Sequence, residues 1–331
     1  MKSVKTKAMA LAICLVLLGA IIPISAALLL YPTSAPKTPL VGEVFTGRYL
    51  KIGIEDQYGD FGITYPESVG FQYPIGEEYE SLAVGRWGEG YVIAYDDNVY
   101  YHQPCYGISG GMIPVGSYVI SDTPTEVRYL VVAQAGDIRT YFYFIFPKAT
   151  RNVYLYTILH NTGDTNLSKV YYKRLIDWDV CQPTLGTFDN SWTWLPSANA
   201  AIAFASVPGV GTVYNYVMGY PAPDDYDLDA WDDDTIVGVG SSHVKSDYPS
   251  VITDYDGFAG LHWHLGSLAP GEYKVILTVY GAFSSSSSTG MVEELRDESE
   301  MIQDAYNEKE AIQRLLMFQK IRENIKDMRK S

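Results

Sequence analysis

The chain has 331 residues, 47% of them apolar, which suffices for one large core or two ordinary ones without help from a metal or a disulfide. Against 24 Lys and Arg it carries 39 Asp and Glu, a formal net charge of −15, so it spares no clustered basic face for phosphate and argues against a nucleic-acid partner. The 28 Tyr, 29 Gly and 17 Pro favour half-buried sheet broken by many turns, with helix in the minority.

Lys2, Lys5 and Lys7 precede an uncharged run from Ala8 to Leu30, broken by Pro23. A basic start followed by an apolar stretch addresses residues 1–30 to the membrane. They are either a signal peptide cut near Ile24-Ser25-Ala26-Ala27 or a retained transmembrane anchor. In both cases the basic end stays inside, so the body is expected on the extracellular face of the membrane or secreted. A third reading takes Lys7-Ala8 as a pilin-type processing site and the apolar run as an assembly helix. Residues 31–40, YPTSAPKTPL, hold three prolines and no periodicity, as an extended spacer would.

Residues 41–283 are expected to form one β-sandwich. The runs RYLKIGIE, FGITYP, LAVGRW, YVIAYDDNVYY, SYVISD, TEVRYLVVAQ and IRTYFYFIFP alternate with turn clusters and show no useful helical period. That spacing predicts a mainly β fold, a large antiparallel two-sheet sandwich. Residues 151–181 organise the prediction, because two β-forming runs that are apolar on both faces flank the turn Asn161-Thr162-Gly163-Asp164-Thr165-Asn166. We expect a central hairpin. On its first strand Val153, Leu155, Thr157 and Leu159 face one way; on its second, Tyr172, Arg174, Ile176, Trp178 and Val180 share a face. Asn166-Leu167-Ser168 is an N-glycosylation sequon at the exposed end.

Three further strands are expected over residues 188–218, with Trp192 and Trp194 among their bulky fillers. The acidic stretch PAPDDYDLDAWDDD, residues 221–234, reads as a loop. Short strands at residues 235–240 and 260–265 follow, then the turn LAPGE and the strand YKVILTVYGAF. Residues 284–290, SSSSSTG, read as a linker. Over residues 291–331 the pattern becomes an amphipathic α-helix, with Val292, Leu295, Ile302 and Ala305 on its stripe, acidic residues first and basic ones last. It either lies on its own domain or serves self-association, and Glu298, Lys309 and Gln319 interrupt its heptad.

Candidate chemistry is sparse. Asp225, Asp227, Asp229 and Asp233 place carboxylates as the front half of a calcium loop does, so Ca2+ is the one cofactor expected. The pattern then departs, with Ala230 where such a loop wants Gly and Ile236 where it wants Glu; a solvated acidic loop is the other reading. Asp177 and Asp179 share a strand face and invite a glycosidase reading, but two groups on one strand do not flank a bond from opposite sides, so a structural role is expected. His262 and His264 have a spacing compatible with two metal ligands, for which His243, Asp254 or Asp256 would have to approach in space. Cys105 and Cys181, outside the apolar run, are a candidate disulfide in an exported protein, with separate buried thiols the alternative. Phosphate loops, nucleophile elbows, HExxH and CxxC are missing from the sequence, which lowers the prospect of an enzyme.

The turn NTGD leading into YKRLIDWDV, and LAPGEYKV at the last long strand, resemble the galactose-mutarotase-like supersandwich domains of exported archaeal and bacterial surface proteins. Such domains also accompany sugar-processing catalytic domains. The resemblance implies a two-sheet fold, and catalytic carboxylates that belong to a separate helical barrel for which this chain has no room. Two functions follow. The first is a non-enzymatic cell-surface or secreted protein, a structural or ligand-binding component of the envelope, calcium-stabilised. The alternative is a carbohydrate-binding or carbohydrate-active protein stacking sugars on Trp192, Trp194 and Trp231. A filament or virion subunit is a further alternative. The expected partners are the membrane and a glycan or envelope protein.

Overall fold

A computed structural model describes residues 42–63, 69–82, 89–103, 108–229, 252–255, 257–285 and 288–307. The sandwich lies within one compact unit, residues 36–299; a second unit comprises residues 1–35 and 300–331. The apolar segment and the proline spacer fall outside the described residues. Among the described residues no helix is long and apolar enough to cross a membrane.

The fold is mainly β and antiparallel, as expected. Its first piece is a small sheet of β1 (Gly42–Thr46), β2 (Lys51–Glu55) and β3 (Phe71–Gln72). The six-stranded layer contains β4 (Glu89–Tyr95), β5 (Asn98–Gln103), β6 (Ile108–Gly110), β11 (Leu167–Ile176), β15 (Asp225–Asp229) and β17 (Phe258–Leu268), in the order β15-β17-β11-β4-β5-β6. The nine-stranded layer contains β7 (Met112–Asp122), β8 (Glu126–Ala135), β9 (Ile138–Pro147), β10 (Asn152–Asn161), β12 (Asn190–Leu195), β13 (Ala200–Val207), β14 (Gly211–Tyr220), β16 (Ile252–Tyr255) and β18 (Tyr273–Ser285). Its order is β16-β12-β13-β14-β18-β10-β9-β8-β7. Among the described residues there are two α-helices, the single turn α1 (Gln182–Leu185) and α2 (Ser288–Asn307). Strand β18 runs to Ser285, so the serine-rich connection is shorter than expected.

One expectation is corrected. Strands β10 and β11 do not pair with each other: β10 lies between β9 and β18, and β11 between β4 and β17. The connection from Asn161 to Asn166 therefore bridges the two layers. Buried Asn161 holds this corner, its amide Nδ2 donating to the carbonyls of Thr165 and Leu268, both at 2.8 Å, while its Oδ1 accepts from Gly163 N at 2.9 Å. Asn166 is exposed there.

The alternation itself was read correctly. Val153, Leu155 and Leu159 enter the core from β10, and Tyr172 and Ile176 enter it from β11, followed by Trp178 and Val180. Phe142, Phe144 and Phe146 of β9 and Ile276, Tyr280 and Ala282 of β18 join them. Edge-on aromatic contacts join the region of the small sheet to the nine-stranded layer and to the segment leaving β11: Phe61 meets Phe144 at 5.5 Å and Tyr280 at 4.7 Å, and Phe71 meets Trp178 at 5.0 Å. Beneath them Glu80 takes four backbone N–H groups, from Gly70, Phe71, Ser81 and Leu82, at 2.8–3.1 Å.

Helix α2 attaches to the nine-stranded layer through a residue that breaks its apolar stripe. Glu298 Oε2 accepts from Asn152 Nδ2 at 2.5 Å, and Asn152 Oδ1 accepts from Tyr216 Oη at 2.6 Å. Gly281 makes room for this chain, because a Cβ there would stand 2.3 Å from the Tyr216 ring and 2.5 Å from Asn152 Oδ1. Burial pushes the Glu298 carboxyl up to about 7.

Candidate functional site

The most concentrated chemistry lies inside the sandwich, among residues that, Arg174 apart, the sequence analysis did not single out. Strand β11 sends Arg174 inward from an otherwise apolar face, and it is 1% exposed. A guanidinium in that position requires a counter-charge, since an isolated buried ion costs several kcal/mol or more. Glu89, at the start of β4, supplies it in fork geometry: Nε to Oε1 is 2.7 Å and Nη2 to Oε2 is 2.6 Å. Arg174 also donates from Nε to Tyr280 Oη at 2.8 Å, from Nη1 to Tyr172 Oη at 3.3 Å and from Nη2 to Gly59 O at 3.2 Å. Glu89 in turn accepts from Phe61 N at 2.7 Å and from the Tyr280 hydroxyl. One ion pair thus joins β4, β11, β18 and the turn after β2. Gly59 has φ +77° and a Cβ there would meet the Phe142 ring at 2.9 Å, so only glycine brings this carbonyl down to the guanidinium.

The same turn delivers a second group of side chains. Glu55 closes it, accepting from Tyr58 N at 3.0 Å, while Glu55 N donates to Asp60 O at 2.8 Å. Asp60 is fully buried; its Oδ1 is 3.9 Å from Arg174 Nη2 and its Oδ2 is 3.1 Å from His102 Nε2. His102 Nε2 is 3.8 Å from Glu55 Oε2, and the Tyr58 ring stacks on the imidazole at 3.9 Å. Ligand atoms of Glu55, Asp60 and His102 all lie within 4.8 Å of one another, close enough to share an ion. Desolvation raises Asp60 well above the usual carboxylate range and lifts Glu55 to about 7; it depresses His102 to about 3, with help from Arg174. At neutral pH the imidazole is uncharged.

The expected site residues are scattered. Trp192 is 1% exposed within the core, which corrects its assignment as a sugar-stacking ring. Trp194 is half-buried at the edge where β12 approaches β15, and stacks on half-buried Tyr226 at 4.1 Å with the rings 13° apart. Trp231 lies outside the described residues. Residues 225–229 form strand β15 rather than a loop, with Asp225 opposite His262 and Asp227 opposite Gly260. A strand spaces alternate residues about 6.6 Å apart, whereas a calcium loop folds its ligands around one point. Asp225 Oδ2 stands 3.6 Å from His264 Nε2; the side chains of Asp227 and Asp229, and all of Asp233, lie outside the described residues.

His262 is buried and His264 exposed, and among the described residues the two do not belong to a metal-capable cluster. Asp177 and Asp179 are buried on the segment leaving β11, where Asp179 N donates to Ser81 O at 2.9 Å. Cys181 is a free, buried thiol whose Sγ donates to Tyr73 O at 3.6 Å, and burial pushes it up to about 12. Cys105, its expected disulfide partner, lies outside the described residues.

With the two layers and their interior described, the protein belongs to the class of large two-layer antiparallel β-sandwiches. Among solved structures it is similar to a bacterial glucoamylase solved with acarbose, at TM-score 0.50 and 10% identity, over 85% of this chain and 38% of the glucoamylase. It spans well under half of that chain. Weaker likenesses include a putative aldose 1-epimerase from Escherichia coli K12 (TM-score 0.38, 10% identity, 74% of this chain and 99% of that one). A galactose mutarotase related enzyme from Lactobacillus acidophilus gives TM-score 0.31 and 10% identity over 74% and 98% of the two chains. No protein-family model matches the sequence, and no curated protein does.

Proposed function

We propose that this is a carbohydrate-binding protein that works outside the cell membrane, to which residues 1–30 deliver or tether it. The observation that carries the reading is the Trp194–Tyr226 pair: two nearly parallel rings where β12 approaches β15, each packed against the core and partly exposed. Flat apolar rings beside polar groups suit the C–H faces and hydroxyls of a sugar. On the other face of β15 and β17, polar groups gather around exposed His264, whose N donates to Asp224 Oδ2 at 2.6 Å and whose ring meets Tyr171 edge-on at 4.9 Å. The likeness to part of a glucoamylase supports a sugar ligand.

Glycan-array binding of the full chain tests this. We expect Trp194→Ala and Tyr226→Ala each to weaken binding at least about tenfold while the far-ultraviolet spectrum is kept. Failure to bind any glycan, or binding indifferent to both changes, overturns the reading. One observation favours an envelope component that self-associates: edge strand β7 exposes Ile113, Val115 and Val119. Concentration-dependent sedimentation abolished by Val115→Lys supports that second reading.

A further inference from the structure

We propose that Glu55, Asp60 and His102 form a binding site for one divalent transition-metal ion of the Zn2+ or Mn2+ kind, held by two carboxylates and one imidazole. Three independent features converge on it. Ligand atoms from the three residues lie within 4.8 Å of one another, and His102 Nε2 stands 3.1 Å from Asp60 Oδ2 and 3.8 Å from Glu55 Oε2. Ligands bound at about 2.1 Å sit roughly 3.0 to 3.4 Å apart in octahedral or tetrahedral geometry; the His102–Asp60 pair already has that spacing, the His102–Glu55 pair must close by a few tenths of an ångström, and the Glu55–Asp60 pair lies within 4.8 Å.

The second feature is unmet polar capacity. Asp60 and His102 are 0% and 5% exposed, yet neither carboxylate oxygen of Asp60 and neither ring nitrogen of His102 has a hydrogen-bond partner among the described residues. Buried polar groups without partners are rare in folded proteins because each forfeits its hydration. Here the near approach of Asp60 to His102 lacks hydrogen-bond alignment, which is how two ligands of one ion face each other. Tyr91 Oη, on the residue paired with His102 across β4 and β5, is also buried and has no hydrogen-bond partner among the described residues.

Charge is the third. Arg174 and Glu89 cancel as an ion pair, leaving Asp60 and Glu55 as the two carboxylates beside the imidazole. A dication held by both brings this cluster to zero. The mixed nitrogen and oxygen set disfavours Ca2+ and Mg2+, which prefer oxygen alone. The turn that carries Glu55, Tyr58 and Asp60 would be pinned to β5 by the ion, and Tyr58 stacked on His102 would fix the ring that binds it.

The test uses the full chain, stripped with a chelator and titrated with Zn2+ by calorimetry, with metal content measured after dialysis. We expect one equivalent of Zn2+ to be retained and the melting temperature to rise with it. His102→Gln and Glu55→Gln should each weaken binding at least tenfold, while Asp227→Asn/Asp229→Asn on β15 leaves it unchanged. Glu55 is the more exposed ligand, at 14% of its side chain, so Glu55→Gln decides the matter if His102→Gln does not fold. The proposal is overturned if the wild-type chain retains no stoichiometric Zn2+, if Glu55→Gln binds as well as wild type, or if the β15 changes abolish binding.

Discussion

Replacing Arg174 by Met removes the centre of the interior network while keeping most of its volume. The change leaves Glu89 buried at 3% exposure without its cation and strips Gly59 O, Tyr172 Oη and Tyr280 Oη of a donor. Breaking one partner of a buried ion pair costs about 3 to 5 kcal/mol, most of it the burden of the stranded charge. We therefore expect Arg174→Met to lower stability by that amount, read as a fall in the denaturant midpoint at unchanged m-value. Arg174→Met/Glu89→Gln should recover about 2 kcal/mol or more of the loss. The amide keeps an acceptor for Phe61 N, which donates to Glu89 at 2.7 Å, while removing the charge. A single change costing less than about 1 kcal/mol, or a double change equal to the sum of its parts, would show that the pair is not the buried clasp its geometry describes.

Two further outcomes follow from the attachment of helix α2. Gly281→Ala forces a methyl against Tyr216, directly opposite on β14, and we expect a loss of about 1 to 3 kcal/mol by thermal unfolding; a neutral result would mean that the ring has room to move. Glu298 binds its proton more tightly folded than unfolded, so its contribution is fully present below pH about 4.5 and is lost as pH rises through about 7, by at most about 3 kcal/mol. Glu298→Gln should flatten stability across that window and raise it at pH 8. An unchanged pH profile would refute this.

The interior cluster was partly legible. Arg174 stood on the same face as Tyr172, Ile176 and Trp178, and a guanidinium among core residues already demands a buried carboxylate. Which carboxylate could not be read, because Glu89 lies 85 residues earlier and Asp60 earlier still, with no spacing to link them. Glu298 looked like a flaw in a heptad; in the fold it is the helix residue bonded to Asn152 of the sheet.

Strand periodicity, turn residues and composition were enough to set the class of fold and the inward faces of β10 and β11, because alternation along a strand is a local property. They could not decide that these neighbours join opposite layers, since a run apolar on both faces fits a hairpin or a bridge between sheets equally well. Pairing partners drawn from β4, β17 and β18 settled that. The same long-range closure brought Glu55, Asp60 and His102 within reach of a single ion and carried Trp192 out of reach of any ligand.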